Sequence, residues 1–226
     1  MTGKFVQSPG KGQVIEVQAN DPAIHSVVIY GMTDQAVYPL AKKHHKPETL
    51  REIAHLRPRS NLIGAMSRVR NNLALATHLF FQSRGFIYVH TPIITASDCE
   101  GAGEMFQVTT VLPNKNKTKD EIPTIKDKNT VDYEKDFFKK PAYLTVSGQL
   151  AVENYACALS NVYTFGPTFR AEMSHTSRHL SEFWMIEPEM AFADIYDNMG
   201  IAEDYLKFMI NYCLENNMPE LQFFDD

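Results

Sequence analysis

Two strand-like runs, residues 162–172 and 182–192, are joined by the polar segment 173–181, and this pairing restricts the fold more than any other part of the chain. Runs of that length around one loop make a long antiparallel hairpin. A lone hairpin is not stable in water; it needs further strands or a helix against one face. The chain supplies both. Leu62, Met66, Val69, Leu73, Ala76 and Phe80 step by 4, 3, 4, 3 and 4, which predicts a long amphipathic helix over 62–84, stopped by Gly85. Residues 86–89 read as a strand running into Thr91-Pro92, and 143–146 as another. Residues 149–159 read as a second helix. A last helix is expected to start at Asp197 as its N-cap and to turn Ile201, Tyr205, Met209, Tyr212 and Cys213 inward. The expected class is α+β: a mixed, mainly antiparallel sheet with flanking helices.

The first residues have a different character. Residues 4–7, 13–18 and 26–30 are short strand candidates, the first two around a Gly10-Lys11-Gly12 turn. Three such strands are too few for an independent sheet, so they are either the tail of a small β-barrel or strands that need a partner. A basic linker follows over 38–47. A short helix then runs from Glu48, with Leu50, Ile53 and Ala54 on one face, to Arg57-Pro58-Arg59, where Pro58 ends it. The organisation expected is a barrel remnant and linker over 1–40 and a main domain over 41–226. The polar stretch 113–140 is expected to be a surface insertion within that domain.

Composition excludes several classes. With 226 residues, 44% apolar and 22% charged, the chain is neither disordered nor in need of staples to hold a core. No apolar run approaches the roughly 18 residues of a membrane helix, and the N-terminus has no apolar signal core. Cys99, Cys157 and Cys213 lie far apart with no CxxC pair, which points to a reducing, cytoplasmic setting and away from zinc. His44 and His45 have no companions at metal-ligand spacing, and no metal site is expected in these residues. The net charge of −5 divides unevenly: 181–226 carry eleven acids and one base, 1–180 carry 21 bases and 16 acids, and 40–70 hold eight bases against two acids. A binder driven by phosphate charge alone would be more basic overall.

The chemistry concentrates in the hairpin. Phe169-Arg170-Ala171-Glu172 leaves its first strand; Arg178-His179-Leu180-Ser181-Glu182-Phe183 enters its second. Alternate strand residues share a face, so Arg170 and Glu172 point the same way. A guanidinium can grip a phosphate with two hydrogen bonds, and Phe183 can stack on a purine. Arg178 and His179 on the loop can reach outer phosphates. This describes an ATP site without a glycine-rich phosphate loop, since neither GxxxxGK[ST] nor GxGxxG occurs.

These residues, with others along nearly the whole chain, resemble the class II aminoacyl-tRNA synthetases of the aspartyl, asparaginyl and lysyl subgroup, and within it the bacterial asparaginyl branch. Residues 169–183 look like its second signature motif and 62–92 like its first, which builds the dimer interface. Residues 97–106 look like its mobile substrate loop; 144–150 and 183–189 resemble its pocket segments, and 54–59 the junction after its anticodon-binding, OB-type barrel. The resemblance implies an ATP-dependent ligase that activates asparagine and transfers it to the 3′ end of tRNA(Asn), as a homodimer with no membrane partner. It implies Arg170 on the α-phosphate as the catalytic cation, Phe183 on adenine, Glu172 near the adenine amine, and Arg178 and His179 on outer phosphates. It implies Glu100, Ser147, Gln149 and Glu187 on the amino acid, and Leu62, Met66, Val69, Leu73 and Pro92 at the dimer interface.

Two positions favour asparagine over aspartate. Val152 stands where the aspartyl relatives place a lysine for the substrate carboxylate, and Glu187 where they have aspartate. A carboxylate acceptor suits an NH₂ donor. The family's third motif and the acids that hold Mg²⁺ do not follow Phe192. The chain therefore resembles the first half of a catalytic domain, expected to be inactive alone, with Mg²⁺ ligands lying elsewhere. The alternatives are an aspartyl or dual-specificity enzyme, a non-catalytic dimerising or regulatory module, and a plain nucleic-acid-binding module using residues 40–70.

Overall fold

A computed structural model describes residues 1–24, 26–40, 43–99, 101, 104–112, 122–126, 130–174, 176 and 179–225. The chain forms two compact units, Met1–Gly64 and Ala65–Asp226.

In the first unit, β1 (Lys4–Gln7) and β2 (Ile15–Gln18) pair antiparallel, from Lys4↔Gln18 to Gln7↔Ile15. The third strand expected over 26–30 is reduced to one bridge, Thr2↔Ser26. Val28, Ile29 and Tyr30 beyond it are exposed. The result is an open ribbon, and a barrel remnant is not evident in it. α1 (Pro47–Glu52) opens on proline, whose missing N–H costs nothing in a first turn. The turn Arg57–Arg59 follows. Leu50 is the one buried residue among those described in this unit.

α2 (Asn61–Ser83) begins at the junction and carries the predicted stripe. Gly85 ends it at φ +81°, the left-handed turn glycine adopts without a Cβ clash. There the Phe86 N–H donates back to Phe81 O at 3.0 Å. The chain continues as β3 (Ile87–Tyr88), β4 (Ile94–Thr95), β5 (Gln107–Val108), β6 (Ala142–Leu144), α3 (Gln149–Leu159), β7 (Asn161–Phe169), β8 (Glu182–Met190), α4 (Ile195–Asn216) and α5 (Met218–Asp225).

Two three-stranded sheets form, in the orders β3-β7-β8 and β4-β6-β5. β3 runs parallel to β7, whereas β7 and β8 make the predicted hairpin in unbroken register from Asn161↔Met190 to Phe169↔Glu182. Its strands end earlier than the sequence suggested, at Phe169 and Met190. α4 is capped by Asp194, not by Asp197. The Asp194 carboxylate accepts from the Tyr196 and Asp197 N–H groups, and the Asp197 carboxylate accepts from the Asp194 N–H. This is a reciprocal capping box with Asp197 as its inner member.

The hairpin has two different faces. On one, Tyr163 packs with Phe80 and Phe81 of α2 and with Phe86, and Phe165, Met190, Ile201, Tyr205 and Phe208 close around them. Phe81 stacks on Tyr163 at 4.7 Å between centroids, and Phe80 meets Phe81 edge-on. The other face carries Val162, Thr164, Gly166 and Thr168 opposite Glu189, Glu187, Met185 and Phe183. At its far end α3 places Val152 and Ala156 against Val162 and Val89.

The expected insertion over 113–140 is described only in part. Its C-terminal end is anchored by Asp136, which accepts from the Thr109 and Thr110 hydroxyls and the Thr110 N–H. The Thr109 bond foremost holds this carboxyl below its ordinary value.

Candidate active site

The hairpin face that carries Thr164, Thr168, Phe183 and Glu187 collects the predicted chemistry. Arg170 continues β7 by one residue, its N–H donating to Ser181 O at 3.1 Å. Its Cζ lies 5.5 Å from the Phe183 ring centroid, within cation–π range, so guanidinium and ring share one face. Among the described residues, the guanidinium Nη2 reaches only the Met185 sulfur, at 4.0 Å. Arg170 Nε is buried with no hydrogen-bond partner among the described residues. A buried donor left unpaired costs on the order of 1–3 kcal/mol. Its position suits an anion brought against the Arg170 guanidinium.

Further along the same face, Glu187 closes on the loop before α3. Its carboxylate accepts the Ser147 hydroxyl on one oxygen and the Gly148 N–H at 3.0 Å on the other. Ser147 Oγ in turn accepts the Gln149 N–H at 3.0 Å. Thr145, buried behind them, accepts the Phe169 N–H on its carbonyl at 2.8 Å and donates its own N–H to Ile93 O. This pins the 145–149 segment against the edge of β7. Gly148 is required there, because a Cβ would fall 2.7 Å from Thr164 Cγ2 and 2.9 Å from Thr91 Oγ1. Glu187 and Gly148 border a cavity of about 140 Å³ along the β7 edge, with Thr145, Thr164 and Thr168. Phe183 and Glu187 lie four residues apart on β8, about 13 Å along the strand; that spacing suits an adenine at one end and an amino acid at the other.

Of the predicted site residues, Arg170, Phe183 and Glu187 share this face, with Ser147 and Gln149 beside it. Glu172 and His179 pair with each other, Nε2 to Oε2 at 3.2 Å, in the loop beyond. Glu100 and Arg178 lie outside the described residues. Of the predicted interface residues, Met66 is 51% exposed, Pro92 is exposed, and Leu62, Val69 and Leu73 are half-buried. Val152 does not line the cavity; its side chain is fully buried against Val89 and Val162. A lysine there would put a charge among valines. Glu189, next to Glu187 on the face, is raised above the ordinary carboxylate range by burial first and by Glu153 and Glu187 after it. Thr145 and Gly148 were read only as part of the 144–150 pocket segment, and Cys99 only as part of 97–106, with no role of their own.

Among the described residues, no group of three or more His, Cys, Asp or Glu is placed to hold a metal ion. None of their helices is long and apolar enough to cross a membrane.

With this geometry in place, comparison with known proteins identifies the family. The sequence model of the tRNA synthetases class II (D, K and N) covers residues 46–224, and the chain belongs to that family. Within it, the chain is 61% identical over 223 residues to the asparagine–tRNA ligase of Protochlamydia amoebophila, covering 99% of this chain and 45% of that protein. It is 56% identical over 226 residues to the asparagine–tRNA ligase of Shewanella amazonensis, covering 46% of it. The chain thus spans about 45% of the length of these relatives. Among solved structures, the asparaginyl-tRNA synthetase of Pyrococcus horikoshii complexed with asparaginyl-adenylate superposes at a TM-score of 0.72 with 27% identity, over 94% of this chain and 42% of that one. A putative aspartyl-tRNA synthetase from Leishmania major shares the fold at a TM-score of 0.55 with 21% identity.

Proposed function

We propose that this chain carries the adenylate-forming site of an asparagine–tRNA ligase. Arg170 holds the ATP α-phosphate and stabilises the charge that builds on it. Phe183 stacks on adenine, and Glu172, Arg178 and His179 attend the adenine amine and the outer phosphates. Glu100, Ser147, Gln149 and Glu187 hold the amino acid. The asparagine carboxylate oxygen attacks the α-phosphorus, the bond to pyrophosphate breaks, and asparaginyl-adenylate forms. The terminal ribose hydroxyl of tRNA(Asn) then takes the asparaginyl group and AMP leaves. Catalysis is by positioning and charge stabilisation, with no covalent intermediate on the protein. The family implies Mg²⁺ on the phosphates; the described residues offer no fitting acid cluster, and we assign none of them to it.

On this reading residues 1–40 belong with an anticodon-binding barrel and 41–226 with the catalytic domain; the family match from residue 46 supports the division. The exposed or half-exposed Leu62, Met66, Val69, Leu73 and Pro92 form a homodimer contact, and the protein works in the cytoplasm.

The observation that carries the reading is the buried Arg170 Nε, without a hydrogen-bond partner among the described residues, on one face with Phe183. Titrating a non-hydrolysable asparaginyl-adenylate mimic into the 226-residue chain by calorimetry tests it. Arg170→Ala is expected to weaken binding roughly 10- to 100-fold, the worth of a charged hydrogen bond. Phe183→Ala is expected to weaken it at least about fivefold. Absence of binding, or binding indifferent to both substitutions, overturns the proposal.

A further inference from the structure

The β5–β6 pair is an arm with the candidate site at one end. There the Leu144 N–H donates to Phe106 O, and Glu104 O takes the N–H of Ala171, the residue between Arg170 and Glu172. The arm then runs away from the site through Gln107↔Tyr143 and Val108↔Ala142. A turn over Asp136–Lys139 stands at its far end, the Lys139 N–H donating to Asp136 O at 3.1 Å. Lys140 is five residues from Thr145, about 17 Å along a strand.

The turn is firmly held, yet it exposes a ring and two charges. Asp136 is buried and accepts from the Thr109 and Thr110 hydroxyls. The Phe137 N–H donates to Thr110 Oγ1 at 3.2 Å, and Gln107 Nε2 donates to the Tyr133 hydroxyl at 2.6 Å. On this base the Phe137 ring is 77% exposed, edge-on to Phe138 at 5.0 Å between centroids. Lys139 and Lys140 are exposed, as is Glu134. Asp132 is paired with Lys135, whereas Lys139 and Lys140 take part in no ion pair among the described residues. Lys139 also sits at φ +54°, a left-handed backbone that glycine adopts freely and a side chain does not. An exposed lysine gains no packing that would offset this strain, so the outlier points to a use for its charge.

An exposed ring beside two ammonium groups suits a chain of bases and phosphates: a base stacks on the ring, and phosphates meet the cations. A duplex keeps its base faces stacked inside, so the partner with faces to offer is single-stranded. We infer that the turn over residues 136–140 is a docking point for single-stranded RNA, with Phe137 under a base and Lys139 and Lys140 on the flanking phosphates. The identity of the strand rests on the proposed function: it is the 3′ end of the tRNA, whose terminal ribose reacts at the other end of the arm.

Three affinities of the 226-residue chain test this: for a labelled single-stranded RNA of about eight nucleotides, for a duplex of the same sequence, and for the asparaginyl-adenylate mimic. The single strand is expected to bind more tightly than the duplex. Phe137→Ala is expected to weaken the single strand at least about fivefold, the loss of one stacked base, with mimic affinity unchanged. Lys140→Gln is expected to lower the slope of log affinity against log salt by about 0.7, the share of one phosphate on a single strand. Lys139→Gly separates use from accident. It is expected to raise the urea midpoint by relieving the backbone and, at the same time, to weaken RNA. A gain in stability with RNA binding unchanged overturns the inference. So do equal affinities for duplex and single strand, single-strand binding indifferent to Phe137→Ala, and no RNA binding by the parent chain. The two proposals fail separately: loss of mimic binding removes the proposed function and leaves this inference to the RNA series, whereas failure of the RNA series with the mimic still bound removes this inference alone.

Discussion

At Gly148 a single hydrogen atom in place of a side chain lets three segments meet. An added Cβ would press on Thr164, Thr91 and, at 3.1 Å, Glu187 Oε2. None of these sits on a free surface side chain that can swing away. Gly148→Ala is expected to cost about 1–3 kcal/mol in urea unfolding, the range for overpacking, and to weaken asparagine binding, because Ser147 and Glu187 are displaced together. Parent-like stability would show that the segment relaxes. Glu189 allows a test of opposite sign. Burial and two nearby carboxylates raise its carboxyl above the ordinary value. The folded protein therefore keeps this proton at pH values where the unfolded chain has released it, and stability falls as pH rises through that window. Glu189→Gln is expected to raise the urea midpoint at pH 7, the gain disappearing by about pH 3, where both states are protonated. A gain independent of pH would place the cause elsewhere. Arg170, Phe183, Ser147 and Glu187 were legible in the sequence because strand alternation or motif resemblance marks them. Thr145 was not, since its partners lie far along the chain and only the fold brings them together. Val152 was read as a pocket residue because spacing alone does not tell the inner side of α3 from the side facing the substrate.

At the scale of elements, starts and stops follow local chemistry that the sequence displays unequally. The end of α2 was legible, because a glycine after a 3–4 stripe has one common use. The start of α4 was misread by three residues. Asp194 and Asp197 both have the side chain of a cap, and the capping box uses both, the outer as N-cap and the inner as its return. Asp194→Ala removes the acceptor for two N–H groups and is expected to cost about 1 kcal/mol, read as a lower urea midpoint. Asp197→Ala breaks only the return bond to the Asp194 N–H and is expected to cost less. Equal losses would mean that the acidic first turn, and not the cap geometry, sets the effect. The third N-terminal strand failed for a reason the residues themselves do not carry: strand propensity in Val27, Val28 and Ile29 is met only where a neighbour offers an edge.

Across the whole molecule, burial is distributed far less evenly than secondary structure. In the unit Met1–Gly64, Leu50 alone is buried among the described residues, and its ribbon carries exposed Phe5, Ile15 and Val17. In Ala65–Asp226, Phe80, Phe81, Tyr163, Val152 and Val162 are all essentially without solvent contact. Hydrogen bonds of a two-stranded ribbon with no apolar face beneath them open at little free-energy cost, whereas those of a sheet covered by packed aromatics open only with the core. Amide hydrogen exchange is expected to follow this division. Val6 and Glu16 of the ribbon should exchange close to the rate of an unstructured peptide. Val162 to Phe165 in β7 and Ala76 to Phe81 in α2 should exchange only through global unfolding, and a denaturant series should bring their opening free energies together at the unfolding value. Ribbon amides protected to the same degree as β7 would mean that the first unit draws stability from surface not evident in its own burial, and the division into a stable and a marginal part would have to be abandoned.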